Sequence, residues 1–202
     1  MILETVALIT FLGLLFSGSS ENAIENIEKD NWGVIYAPGK FSNWPVITSN
    51  KSVPKTGPTS FHASREHGKR YHAGIDLYAM PGDIIVAGSD GIFLNYVAGY
   101  VGLDAMLVQH GNINVLYGEF VAIKGFKSGD KITAGQKLGI MANSKGKSPD
   151  AVLSSMLHLE TWDSSVKFDM FQPWKTSAKM PTGLLDPTRF LEKTLNVSNL
   201  LN

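Results

Sequence analysis

His72 and Asp76 stand four places apart in the stretch HAGID, with Gly74 between them. An imidazole nitrogen and a carboxylate oxygen are donors of the kind that hold a divalent metal; the alternative is a hydrogen-bonded turn that carries two polar side chains. On a helix the two would lie side by side, but Gly74, the β-branched Ile75 and the downstream Pro81-Gly82 argue against a helix here. In a flat strand they would share a face roughly 13 Å apart, too far for one ion with bonds near ~2 Å. Joint ligation therefore requires a bend at Ala73-Gly74, which glycine permits.

A third candidate lies in SSMLHLETW. Read as a strand, this stretch puts Met156, His158 and Glu160 on one face and Leu157 and Leu159 on the other, so that one face is core and the other carries polar chemistry. A lone strand histidine is an ordinary structural residue, but two histidines and one carboxylate make a known catalytic zinc set with the fourth position left for water. That composition favours hydrolysis over a structural role. Of the other histidines, His110 ends a strand before a Gly-Asn turn, and His62 and His67 lie in the loop before the pair; all three read as structural or solvated.

The elements that must position these residues are short. From Asp83 onward, β-branched runs alternate with turn signals: DIIVAG, SDG, IFLNYVAG, DAMLVQH, GNIN and VLYGEF, most economically four closely spaced antiparallel strands. IKGFKSGDKITAGQKLGIM continues as a compact hammerhead-like pair of short strands, with Gly129, Gly135 and Gly139 at tight corners and Ile132 and Leu138 pointing inward. Residues 163–182 read as a loop excursion, and LLDPTRFLEKTL as a helix started by Asp186 and Pro187. The fold class expected is mainly β, a compact antiparallel sheet domain with a short C-terminal helix.

Composition sets the outer limits. The 202 residues suit one domain with extensions, and 18 basic against 18 acidic residues leave no electrostatic footprint for nucleic acid or anionic lipid. The absence of cysteine excludes disulfides, thiolate metal sites and an acylated lipoprotein cysteine, so any metal is held by nitrogen and oxygen. The apolar run from Val6 to Phe16 is shorter than the roughly 20 residues of a membrane-spanning helix and resembles a signal-peptide core, although Glu4 stands where a positive charge is usual. Residues 1–20 thus read as a signal peptide or anchor, 21–60 as an irregular extension punctuated by Pro38, Pro45, Pro54 and Pro58, with 31–61 reading as a surface-wrapping segment or linker, 61–195 as the domain and 196–202 as a tail. Export to the periplasm, envelope or exterior is expected, with no stable membrane insertion beyond such an anchor, and a monomer is the default.

HAGID and the downstream MLHLE, joined by GDIIVAGSDG, MLVQHGNINVLYGEF and KSGDKITAGQKLGIM, resemble the lysostaphin-like zinc metallopeptidases, whose pattern links an HxGxD segment to an HxH strand. The resemblance covers about residues 61–191 and implies a lysostaphin-like, duplicated-hybrid sheet whose groove cleaves peptide cross-links of bacterial peptidoglycan. It implies His72, Asp76 and His158 as ligands of one zinc ion; Glu160, on the strand face of His158, reads either as a residue that orients a ligand from behind or as one end of a rim salt bridge. Two positions depart from the pattern: Met156 and Glu119 stand where working members carry histidines that assist proton transfer. Methionine cannot carry a proton, whereas a glutamate near an attacking water can serve as general base. These substitutions resemble a branch of the family in which YGE and MLHLE occur together, a branch that is itself similar to an animal secreted chemotaxin acting as a binding protein on this fold.

Two functions follow as expectations: an exported zinc endopeptidase acting on cell-wall peptides with Glu119 as proton carrier, or a non-catalytic, zinc-bearing module that binds a peptide ligand. A third reading, a biotinyl- or lipoyl-carrier half domain suggested by KSGDKITAGQKLGIM, lacks a Met-Lys pair in a suitable turn.

Overall fold

A computed structural model describes residues 27–142, 155–166 and 179–200 of the chain. The apolar run from Val6 to Phe16, the tail beyond residue 200 and most of the expected loop excursion at 163–182 lie outside these residues. In chain order the strands are β1 (Val46–Ile47), β2 (Ser64–Arg65), β3 (Arg70–Tyr71), β4 (Ile75–Tyr78), β5 (Ile84–Val86), β6 (Gly91–Tyr100), β7 (Leu103–His110), β8 (Ile113–Ala122), β9 (Lys131–Ile132), β10 (Lys137–Met141), β11 (Met156–Asp163) and β12 (Leu184–Leu185), followed by helix α1 (Thr188–Leu200). The mainly β architecture with one C-terminal helix agrees with the fold class expected from the sequence.

The main sheet runs β1-β5-β10-β8-β7-β6-β9, every neighbouring pair antiparallel. β8 is its pivot. One edge of β8 pairs with β7 along its length; the other pairs first with β11, from Ile113 to Gly118, and then with β10, from Phe120 to Ala122. The change of partner falls at Glu119, where the β7 register slips and the backbone takes φ 68°, the left-handed region. This is a β-bulge, a device that re-aims a side chain.

Two sequence expectations are corrected by the register. The stretch 131–141 does not pair with itself: β9 joins β6 at one side of the sheet while β10 lies between β5 and β8. Ile132 and Leu138 are buried as expected. Gly129 and Gly135 take positive φ in turns, but Gly139 lies inside β10, where a Cβ would stand 2.2 Å from the Val121 carbonyl oxygen. As expected, β11 has a core face with Leu157 and Leu159 and a polar face with His158 and Glu160, and the polar pair is buried as well.

The stretch from 31 to 61, expected to wrap the surface, contributes Val34, Phe41, Trp44, Val46 and Phe61 to the main core, beside Ile75, Leu77, Leu157 and Leu159. Phe41 packs edge-on against Phe190 of α1, with ring centroids 4.6 Å apart. The helix starts where Asp186 accepts hydrogen bonds from the Thr188 backbone N–H and hydroxyl, and it continues to Leu200, past the tail boundary expected at 196. Among the described residues no helix is long and apolar enough to cross a membrane.

Candidate metal centre

β4 and β11 are antiparallel neighbours with Asp76 directly opposite His158, and His158 in turn faces Gly118 of β8. His72 precedes β4, and the chain bends at Gly74 between them. That bend brings three atoms together. His72 Nε2 lies 3.0 Å from His158 Nδ1 and 3.1 Å from Asp76 Oδ1, and His158 Nδ1 lies 2.8 Å from Asp76 Oδ1. All three residues are buried.

The hydrogen bonds behind these atoms decide what they are. His72 Nδ1 lies 2.8 Å from the Ser60 carbonyl oxygen, which can only accept, so Nδ1 carries the proton and Nε2 offers a lone pair to the cluster. His158 Nε2 lies 3.1 Å from Glu160 Oε1, again an acceptor, so Nε2–H donates there and Nδ1 faces the cluster. Three acceptor atoms within 3.1 Å of one another are mutually repulsive unless something positive lies among them. A tetrahedral ion with zinc-like bonds of ~2.0–2.1 Å would set its ligands roughly 3.3 Å apart. The donor set and spacing therefore fit a divalent metal. No other group of three or more histidine, aspartate or glutamate side chains among the described residues converges in this way.

Without a metal, a proton fills the role. Burial works against a charge on His158, but hydrogen bonds and charge from Asp76 and Glu160 prevail and push its pKa up to about 10. Burial would likewise raise Asp76, yet its bonds to His158 and His72 hold it well below the usual carboxylate range. Metal and proton thus compete for His158 Nδ1. In the metal-free protein the His158 contribution to stability is complete below its ordinary value of 6.5 and is lost as pH rises through about 10. Metal affinity moves the opposite way, rising with pH over that interval as one fewer proton has to be displaced. Melting curves with and without zinc over about pH 6 to 8 are expected to diverge as pH rises, the metal-free curve falling.

Glu160 is the support behind His158. Its buried carboxylate also accepts hydrogen bonds from the Tyr100 hydroxyl at 3.0 Å and from Trp162 Nε1 at 2.9 Å. Burial, reinforced by the neighbouring Glu160 charge, pushes Tyr100 well above the ordinary phenol range, so it remains a donor at neutral pH. A carboxylate on the outer nitrogen of a ligating histidine fixes its ring and raises its basicity. Gly118 admits this arrangement, since a Cβ there would stand 2.9 Å from the Tyr100 ring.

Gly74 has a second reason to be glycine besides the bend. An added Cβ would stand 2.3 Å from the Leu159 carbonyl oxygen and 3.0 Å from His158 Cε1. The close atoms are strand backbone and a ligand ring, so neither can yield cheaply. Gly74→Ala is expected to cost about 1–3 kcal/mol of stability through overpacking and to weaken metal binding, measured by urea unfolding and zinc titration.

A cleft of about 440 Å³ opens over the cluster, lined on one wall by Arg65, Arg70 and Tyr71 and on the other by Tyr100, Val101 and Glu119. Glu119 lines the same cleft as His72, Asp76 and His158. Met156, at the start of β11 opposite Tyr78, does not. The remaining histidines lie elsewhere in the structure. His110 bridges the Asp90 carbonyl and the Tyr117 hydroxyl, His62 is stacked between Trp32 and Tyr71 with centroids 4.4 and 4.2 Å away, and His67 is exposed on a short 3-10 turn.

Sequence reasoning did not single out Arg65, Arg70, Tyr100 or Trp162. Trp162 was within reach, being two places beyond Glu160 and hence on its face of β11. Tyr100 and the arginines come from other strands, and nothing local to them signals the cleft.

The sheet and the sequence were compared with known proteins. No curated protein matches the chain. Among solved structures, lysostaphin in solution shares 20% identity over 77% of this chain and 54% of its own, with a TM-score of 0.50, and has the same fold. A zinc-containing peptidase from Vibrio cholerae shares 18% identity over 75% of this chain and 46% of its own (TM-score 0.48). Helicobacter pylori Csd3 shares 23% over 85% of this chain and 45% of its own (TM-score 0.46). The chain thus spans under half of Csd3 and of the Vibrio protein. The family model for Peptidase family M23 matches residues 70–170, which hold all three cluster residues as well as Glu119 and Glu160, and the chain belongs to that family.

Proposed function

We propose that the chain is a zinc-dependent endopeptidase acting on peptides of bacterial cell-wall peptidoglycan, exported to the envelope or beyond, with His72, Asp76 and His158 as ligands and Glu119 as general base. The observation that carries the reading is the convergence of three buried acceptor atoms within 3.1 Å, two of them on imidazoles whose outer nitrogens are already committed to other partners. Membership of Peptidase family M23 supports the choice of reaction, and the two-imidazole, one-carboxylate donor set supports the choice of ion.

A zinc ion held by His72, Asp76 and His158 would supply Lewis-acid polarisation of the scissile carbonyl and would acidify the attacking water. The chain's residues do the rest. Glu160, held by Tyr100 and Trp162, keeps the His158 ring turned so that Nδ1 faces the ion. Glu119, on its bulge and in the cleft, takes the proton of the attacking water as the new C–O bond forms, then returns it to the amide nitrogen as the C–N bond breaks. In this reading the chain is a variant of the family in which Glu119 takes up the proton transfer and Met156 takes no part.

Digestion of purified peptidoglycan by zinc-loaded protein tests the proposal, with products read by mass spectrometry. New peptide termini that vanish on chelation, and return with zinc, are the expected result. Intact peptidoglycan after treatment with protein shown to hold zinc would favour the non-catalytic binding module.

A further inference from the structure

The cleft wall formed by β2 and β3 carries an unusual pair. Arg65 and Arg70 are direct cross-strand partners in this two-stranded ribbon, and both line the cleft. Like charges directly opposite on neighbouring strands are destabilising. Arg70 is offset locally, since its Nε donates to Glu66 Oε1 at 2.8 Å. Arg65 is not offset to the same degree. Its guanidinium donates to the Pro58 carbonyl oxygen and stands 4.0 Å from Asp76 Oδ2, on the side of that carboxylate turned away from the two histidines. With its side chain only 23% exposed, Arg65 has lost most of its water as well.

A half-buried guanidinium offers five N–H donors in a planar fork that matches a carboxylate. One carbonyl and one ion pair at the limit of contact leave most of that fork without a strong partner. We infer that Arg65, assisted by the charge of Arg70, receives a carboxylate of the substrate beside the metal cluster, so that the cleft selects anionic peptides. This deepens the peptidase reading and rests on it for the identity of the site. Because Arg65 lies against a ligand of the cluster, the recognised carboxylate belongs to the residue next to the scissile bond, or to the one after it.

Paired short peptides, identical except for a free carboxylate or a carboxamide at the C-terminus, provide the test. Their equilibrium binding to zinc-loaded protein is measured by calorimetry, beside hydrolysis of the same peptides. The wild type is expected to prefer the carboxylate form by about tenfold, the size of one charge-assisted hydrogen-bond pair. Arg65→Gln is expected to reduce that preference to within about twofold, while Arg65→Lys, which keeps charge but loses the fork, retains part of it. Melting temperature and zinc content of both variants establish that fold and cluster persist. Equal binding of the two peptides by the wild type, no binding of either, or a preference that survives Arg65→Gln because the carboxylate goes to the metal, each overturns the inference. Hydrolysis without the preference overturns this inference alone. The preference without hydrolysis upholds it and overturns the peptidase reading instead.

Discussion

His158→Ala is expected to remove metal binding at micromolar zinc and to destabilise the metal-free protein by about 3–5 kcal/mol. Both effects come from one position. On the metal side, outer partners of a ligand are worth about 10–100-fold in affinity, and loss of the ligand itself costs more. On the stability side, the His158 ring lies between two buried carboxylates, 2.8 Å from Asp76 and 3.1 Å from Glu160. Removing the charge they share leaves both without it in a dry interior, whereas replacing a surface histidine costs little. Urea unfolding of the chelated protein, paired with a zinc titration, separates the two losses. A variant that unfolds like the wild type when chelated would mean that the cluster bears no charge of its own.

Glu119→Gln is expected to leave zinc content and melting temperature within error of the wild type and to reduce turnover by about 10²–10⁴-fold, the usual contribution of a general base. Glutamine keeps the shape and polarity of the side chain but cannot take a proton at neutral pH. The bulge is the reason to expect so clean a separation. Glu119 holds a left-handed backbone conformation, φ 68°, at the point where β8 exchanges β11 for β10. Strain of this kind costs of order 1–3 kcal/mol and persists where the surrounding structure imposes it, often at functional sites. A glycine there would relieve the strain, so Glu119→Gly is the companion variant: more stable and equally inactive. Turnover retained by Glu119→Gln would remove Glu119 from the reaction.

Much of this site could be read from residue types and spacing. HAGID and MLHLE hold its donors, and strand alternation alone places Glu160 on the face of His158. What alternation cannot convey is enclosure. β11 reads as a strand with one core face and one polar face, and the residues on the polar face prove nearly as buried as the core: His158 is 4% and Glu160 3% exposed. The bulge at Glu119 left no trace either, because YGEF carries its glycine one place too early to mark the left-handed residue. Gly118 answers a different need, room for the Tyr100 ring. Prolines made 31–61 look like a surface wrap, but proline spacing reports only the lack of regular structure, and the aromatic residues between them fill the core. The pairing of β9 with β6 and of β10 with β5 and β8 depends on long-range register, which local turn signals do not encode.

His72, Asp76 and His158 are expected to hold one metal ion through specified atoms. Diffraction from crystals grown with zinc, recorded on both sides of the zinc absorption edge, tests it most directly. An anomalous peak is expected ~2.0–2.2 Å from His72 Nε2, His158 Nδ1 and Asp76 Oδ1, with Glu160 still on His158 Nε2. A peak bonded to His158 through Nε2, or full zinc occupancy elsewhere with these three residues still in mutual contact, would contradict it.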